Sequence, residues 1–439
     1  MLLILWPLAV FGGRSASTAI PFSICCLLLA LVVRSWRTQG GGRRALDIVL
    51  LAIALLTVAQ TLPLPLSMVG VLSPHAEIVR QSLALDRSTP SWTPLSIDES
   101  STLWAAAVTI GAIALFFASR SMFAWGGVRQ TVRGISGIGL VFSAIAIAQA
   151  ATAGRSIYWR FPTEYEGPLP FGPFVNRNHF ATWVIMAAPV CFGYVMTRAS
   201  APQSTPSAII SARARFTRAA DGRMAWLSAA VVMMIAALLT SMSRSGILSL
   251  TAAVCLTMLS HRRVRFSGRG WWFLAIVMLI AGFAFTGVDV TELADRFAQS
   301  GSGVQDRAKI WRDTLPLVRD FWLTGSGVGS YRTAMLYYQR ADRVVQFNQA
   351  HNHYLQAAAE GGIVLAALVV AAIVALAAAT RAQLSVDRSG AYWIRAGAAC
   401  GLTAVALQSL WETGLVMPAN AALAAVIAAI ASYEREAAV

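Results

Sequence analysis

Charge is scarce in this chain. Of its 439 residues, 57% are hydrophobic and only 13% are charged. A soluble protein of this length needs more polar surface than that. Lysine is nearly missing: Lys309 is the only one, and arginine supplies the remaining cations behind a net charge of +15. The arginines form no stripe interleaved with aromatics, which argues against nucleic acid as a partner. Cys25, Cys26, Cys191, Cys255 and Cys400 all fall in apolar stretches. They lack metal-ligand spacing and are expected to be buried small apolar residues. The sequence has no Walker loop, dinucleotide fingerprint, nucleophile elbow or zinc signature, and no internal repeat. No cofactor and no metal are expected. The apolar start, Met1 to Gly12, lacks the basic segment that opens a signal peptide. It is expected to be a short first helix entered from the cytoplasm, with a misplaced start codon as the alternative.

What the chain has instead is repeated apolar stretches of about 17–25 residues. In lipid the backbone must satisfy its own hydrogen bonds, so these stretches should be helices. The expected spans are 2–13, 18–33, 46–62, 102–119, 135–153, 179–197, 224–242, 245–260, 271–287, 356–380, 393–411 and 416–432. The fold class is an all-α polytopic membrane protein with about 12 transmembrane helices, in one integral membrane domain covering 1–439. Arginine clusters at 34–44, 120–133, 198–223, 262–269 and 381–388 alternate with the other loops. They belong on the cytoplasmic side, beside anionic membrane lipids, and both termini are then cytoplasmic.

Loops 63–101, 154–178 and 288–355 fall on the opposite, exoplasmic side. The last is long and rich in arginine: Arg296, Arg307, Arg312, Arg319, Arg332, Arg340 and Arg343 join Lys309. Seven acids (Asp289, Glu292, Asp295, Asp306, Asp313, Asp320 and Asp342) nearly balance them. Segment 305–323 has the pattern of an amphipathic helix with Ile310, Leu315, Leu317, Val318 and Phe321 as its apolar residues. Gly325-Ser326-Gly327-Val328-Gly329 should make a flexible turn. The loop ends in Ala350-His351-Asn352-His353-Tyr354-Leu355 at the entry to a helix.

Several polar groups stand out on this face, each with a chemical and a structural interpretation. Asn352 is a suitable helix N-cap, and a neutral His351 beside it could take a proton from a sugar hydroxyl. A polar cap with two interfacial histidines, His351 and His353, is the plainer account. Glu360, ahead of a wholly apolar run, could orient a histidine, pair with an arginine, or simply snorkel to water. Arg244, in the tight Ser243-Arg244-Ser245-Gly246 turn, could grip a diphosphate or reach lipid head groups. Asn176, Asn178 and His179 could bind sugar hydroxyls while Arg177 meets phosphate; capping and an aromatic belt would also explain them. Asp98-Glu99 is the best metal candidate, although most such pairs are solvated helix starts.

Taken together these motifs resemble the O-antigen ligase and polymerase superfamily. The resemblance rests on Ser-Arg-Ser-Gly-Ile-Leu-Ser-Leu at 243–250, Arg307 with Trp311, and Gly-Ser-Gly-Val-Gly-Ser-Tyr-Arg at 325–332. Ala-His-Asn-His-Tyr-Leu at 350–355, Glu360-Gly361 and the Asn176-Arg-Asn-His-Phe-Ala entry add to it. It is tightest over 170–365. It implies a GT-C-type glycosyltransferase of the bacterial inner membrane, with a large helical periplasmic loop at 288–355 carrying part of the site. The implied donor is a glycan on undecaprenyl diphosphate. The acceptor is lipid A–core in ligases, a growing glycan in polymerases, or a protein hydroxyl in oligosaccharyltransferases. The implied reaction is metal-independent and inverting. His351 corresponds to the family histidine, and Arg244 and Arg307 to its arginines; Arg332 is a further candidate for the diphosphate. Leu365 departs from the ligase pattern, which has a small residue or tyrosine there, and His353 adds a second imidazole. A polytopic transporter or flippase of lipid-linked glycans is the alternative class. The span centres nearly lack charge, which favours the enzyme.

Overall fold

The computed structural model describes residues 1–34, 44–83, 91–152, 155–163, 169–199, 222–260, 300–341 and 345–435, with 300–306 as backbone only. The expected ninth span, 271–287, the cluster at 262–269 and the start of the long loop lie outside the described residues. Each of the other expected spans coincides with a helix. These are α1 (Leu2–Ala9), α2 (Ala16–Val32), α3 (Arg44–Ala59), α6 (Glu99–Trp125), α7 (Val128–Thr152), α8 (Arg177–Ala199), α9 (Gly222–Thr240), α10 (Arg244–Ser260), α13 (His353–Val386), α14 (Tyr392–Gln408) and α15 (Pro418–Ser432). Among the described residues α6, α7, α8, α9 and α13 are long and apolar enough to cross a membrane, and α2, α10 and α15 are shorter apolar helices. Together they make a multi-pass, all-α membrane protein.

The core runs along α8, which is buried on almost every side. It packs closely against α14, where a side chain at Gly397 would meet the Pro189 carbonyl at 2.2 Å. Small residues at such contacts let membrane helices pack through their backbones. Trp183, Ile185 and Met186 on α8, Phe22 on α2 and Ile135 on α7 fill the interior. Cys26, Cys191 and Cys400 are buried as expected, whereas Cys25 and Cys255 are exposed. Both stand on apolar helix faces turned outward, so apolar surroundings in sequence did not mean burial within the protein.

Arg120 corrects another expectation. It belongs not to a loop but to α6, where its guanidinium meets Asp47 of α3 in two parallel contacts of 2.6 and 2.7 Å. The rings of Phe116 and Phe117 lie 5.0 and 5.3 Å from it.

A second, smaller core covers one end of the bundle. It is built from the loops expected at 63–101 and 288–355, through α4 (Leu66–Leu72), α5 (Pro74–Leu83), α11 (Ser300–Asp320) and α12 (Tyr331–Tyr338). Short strands β1 (Leu64–Pro65) and β2 (Trp92–Thr93) pair antiparallel at its base. Another hairpin, β3 (Ser156–Ile157) and β4 (Phe161–Pro162), lies in the 154–178 loop. Ile310, Leu317 and Phe321 of α11 face inward as predicted. Leu315 is 58% exposed, because it sits off the face that residues 310, 317 and 321 share.

This cap is joined to the bundle where α13 breaks. Gly362 has φ 61° and ψ −163°, which splits α13 into a short entry segment and a long apolar one. The carbonyls freed by the break find partners in the glycine loop: Ser326 N donates to Ala359 O at 3.0 Å and Gly327 N to Glu360 O at 2.9 Å. Ile363 N donates to Trp322 O at 2.7 Å. Buried Gln60 closes the joint, donating to Thr324 O and Glu360 O and accepting from Val328 N. The loop expected to be flexible is thus pressed onto a helix end. Its glycines serve close backbone approach: a side chain at Gly325 would meet the backbone of Glu360 at 2.2 Å.

Candidate active site

Three helix ends and one loop converge on a carboxylate. Glu412 lies in the link between α14 and α15 and is 1% exposed on its side chain. Its backbone N–H donates to Gln408 O at 3.0 Å, which continues the last turn of α14. Beyond it Gly414 packs against Thr182, and Asn420 donates to both Gly414 O and His179 O. The link is therefore fixed against the N-terminal turn of α8.

Each oxygen of this carboxylate has its own partners. Oε1 accepts from Arg307 of α11 at 2.8 Å and from Asn178 of α8 at 2.6 Å. Oε2 lies 3.5 Å from Nδ1 of His351. Neither atom of that last pair has another hydrogen-bond partner among the described residues. The separation is long for a hydrogen bond, so the contact is chiefly electrostatic. Burial alone would raise the Glu412 carboxyl. The contact with His351 and the electrostatic influence of His351, Arg307 and His179 outweigh it and hold the carboxyl below its ordinary value. Glu412 is ionised at neutral pH.

The surrounding sequence explains why these side chains meet. Asn352 caps α13, accepting from Tyr354 N and Leu355 N at 3.1 and 3.0 Å. His353 N donates to Ser409 O at 2.8 Å, and Trp311 Nε1 donates to Ala350 O at 2.9 Å. His351 is held between these anchors with φ 49°, a left-handed conformation that costs about 1 kcal/mol or more without glycine. Thr413 donates to Gln349 at 2.5 Å, tying the same loop to the Glu412 link. At α8, Asn176 caps the first turn by accepting from Asn178 N. The Asn178 amide is oriented from both sides, donating to Glu412 and accepting from Ser243 Oγ at 2.9 Å. Ser243 brings the Ser243-Arg244 turn to the cluster, with Met242 before it at φ 53°.

The structure thus gathers His351, Arg307, Asn178 and, through Asn178, Asn176 and the Ser243 turn. His179 is buried nearby with Nε2 unpartnered among the described residues. Arg177 is half-buried at the start of α8, and Arg244 is exposed at the start of α10. His353, with Tyr354, lines an apolar cavity of about 1030 Å³ between α3, α6, α13, α14 and α15. Arg332 is exposed on α12, whose Thr333 donates to Asp98.

Two expectations change. Among the described residues Glu360 meets neither a histidine nor an arginine. Only 6% exposed, it accepts from Tyr331 N and Gln356 Nε2, so it anchors the glycine loop and starts α12. The residue that faces the histidine is Glu412, which sequence reasoning passed over. Its signal was a lone carboxylate in a very short link between two apolar spans, on the same face as His351. Asp98 is an N-cap, accepting from Ser101 N, Ser100 Oγ, Ser101 Oγ and Thr333 Oγ1. Among the described residues no three histidine, cysteine or acidic side chains group as a metal site.

Comparison with known proteins agrees with the motifs. Residues 229–370, which hold Arg244, Arg307, Arg332, His351 and Glu360, match the model of a family described as O-antigen ligase. Over that stretch the chain is similar to the O-antigen ligase family. No curated protein matches the chain.

Proposed function

We propose that this protein is a membrane glycosyltransferase of the O-antigen ligase superfamily. It moves a glycan from undecaprenyl diphosphate to an acceptor hydroxyl at the periplasmic face of the bacterial inner membrane. One observation carries the reading: an imidazole, His351, and a guanidinium, Arg307, share one buried carboxylate at the end of an apolar helix bundle. A base and a cation side by side are what displacement of a diphosphate by a hydroxyl requires.

His351 takes the proton of the acceptor hydroxyl as the oxygen attacks the anomeric carbon. The bond from that carbon to the diphosphate oxygen breaks, and the electron pair leaves with the diphosphate. Attack from the opposite side inverts the centre. Arg307 and Arg244 face the developing negative charge, and Arg332 and Arg177 lie on the approach. Asn176, Asn178 and His179 are the polar groups nearest the sugar. The apolar cavity beside His353 and Tyr354 suits the isoprenoid chain of the donor. Acceptors compatible with this chemistry are lipid A–core, a growing glycan or a protein hydroxyl.

The test is a reconstituted assay with purified protein, lipid-linked glycan and each acceptor class. Transfer without ATP or an ion gradient is expected, and His351→Ala should abolish it while leaving expression intact. Normal transfer by that variant sinks the assignment, and movement of unchanged donor would identify a transporter instead.

A further inference from the structure

The geometry points to Glu412 as a positioning residue that sets which nitrogen of His351 carries the proton, while holding Arg307 with its other oxygen. This inference rests on the reading of His351 as the base.

A neutral imidazole offers one lone pair, and its partner at the other nitrogen decides which. His351 turns Nδ1 toward Oε2 of Glu412, an ionised carboxylate with no donor of its own. An N–H at Nδ1 is the only neutral form that meets this oxygen favourably. Nε2 is then left with the lone pair that takes the acceptor's proton. Once that proton is bound, the imidazolium faces a negative charge across the same 3.5 Å, which stabilises it where it forms.

Glu412 can hold this direction because it cannot rotate freely. Oε1 is pinned by Arg307 and Asn178, and Asn178 is pinned in turn by Ser243. The charged and titratable groups around it are His351 from the loop, Arg307 from α11 and His179 from α8. The first two belong to the proposed reaction, so one carboxylate fixes the spacing between base and cation.

The sequence has five histidines, which makes 15N-histidine spectra of the detergent-solubilised protein tractable, with His351→Ala assigning one signal. Wild type is expected to show His351 protonated at Nδ1 in its neutral form. A neutral His351 protonated at Nε2 in the wild type would overturn the inference without any variant. In Glu412→Gln the carbamoyl group keeps the volume but can present a donor, and the Nδ1–H population should fall. Transfer should drop by about 10²–10⁴-fold in that variant, with Glu412→Asp recovering part of it. An unchanged tautomer with unchanged turnover in Glu412→Gln refutes the role of Glu412 while leaving His351 as base. Activity in His351→Ala refutes the base itself, so the two failures separate.

Discussion

Gly362→Ala tests the joint that aims the site. At φ 61° and ψ −163° this residue occupies backbone space that is almost closed to other residues, at a cost of about 1–3 kcal/mol. The added methyl would stand 2.3 Å from Leu323 O and 2.8 Å from Thr324 N, both backbone atoms that no rotamer change can clear. The glycine loop must therefore withdraw. Its withdrawal weakens Ile363 N to Trp322 O, Ser326 N to Ala359 O and Gly327 N to Glu360 O. Each is worth about 1 kcal/mol, and more if the buried carbonyls stay unpaired. The summed destabilisation is about 3–6 kcal/mol. The assay is thermal unfolding of purified protein in detergent, beside transfer activity. A fall in melting temperature on the order of 5–10 °C is expected. Gly70→Ala is the control: it lies in α4 with nothing within 4 Å of its added methyl. It should leave stability within about 1 kcal/mol of wild type or improve it. If Gly362→Ala melts with Gly70→Ala, the joint does not carry the strain assigned to it.

Other expected outcomes follow from single contacts. Asp47→Ala strands Arg120, 6% exposed on its side chain, without its two contacts; unfolding should show a loss of about 3 kcal/mol, with Asp47→Leu/Arg120→Leu closer to wild type. Equal stability of the single and double variants would count against the pair. At Asp98, burial raises the carboxyl, but hydrogen bonds from Thr333, Ser101 and Ser100 outweigh it and lower the pKa. A lowered carboxylate stabilises fully above its unfolded value, near 3.9, and that contribution is lost as pH falls through the folded value. Melting temperature against pH should therefore drop in acid for wild type, and the drop should be shallower in Asp98→Asn. Asn178→Ala removes the donor at 2.6 Å from Glu412 and the acceptor of Ser243; transfer should fall at least tenfold with little change in melting temperature.

The spans were legible because an apolar run of sufficient length has one solution in lipid. Capping was legible for the same local reason: Asn176, Asn352 and Asp98 precede helices and accept from their first free N–H groups. His351 stood out because imidazole is rare in this chain, whereas only the family resemblance set Arg307 apart from the other arginines of its loop. What escaped was contact between distant segments. Glu360 and Glu412 look alike in sequence, each a single acid at the edge of an apolar run. Only the fold separates them, since Glu360 faces the N–H groups of a loop and Glu412 faces a histidine and an arginine. The glycine loop failed as a prediction for a related reason. Glycine permits a flexible turn or a close approach, and the carbonyls freed at Gly362 decide for the second.

Under the proposed function, the charge of the cluster explains how a loop of nearly balanced charge serves a diphosphate donor. With Glu412 ionised, its negative charge cancels the positive charge of Arg307, so that pair adds no net attraction for the proposed donor. Arg244, exposed at the start of α10, follows Ser243, whose hydroxyl donates to Asn178. In the proposed reaction the balance shifts during the step itself. As His351 takes the acceptor's proton the cluster gains one positive charge, at the moment the diphosphate takes up negative charge. Attraction that grows along the reaction lowers the barrier, whereas attraction already present for the bound donor does not. A neutral pair of Glu412 and Arg307 therefore suits turnover of the proposed polyanionic donor better than an open basic patch. Replacing Glu412 by glutamine adds one positive charge to the resting site. It should tighten donor binding while slowing transfer, and weaker donor binding together with slower transfer would contradict this account.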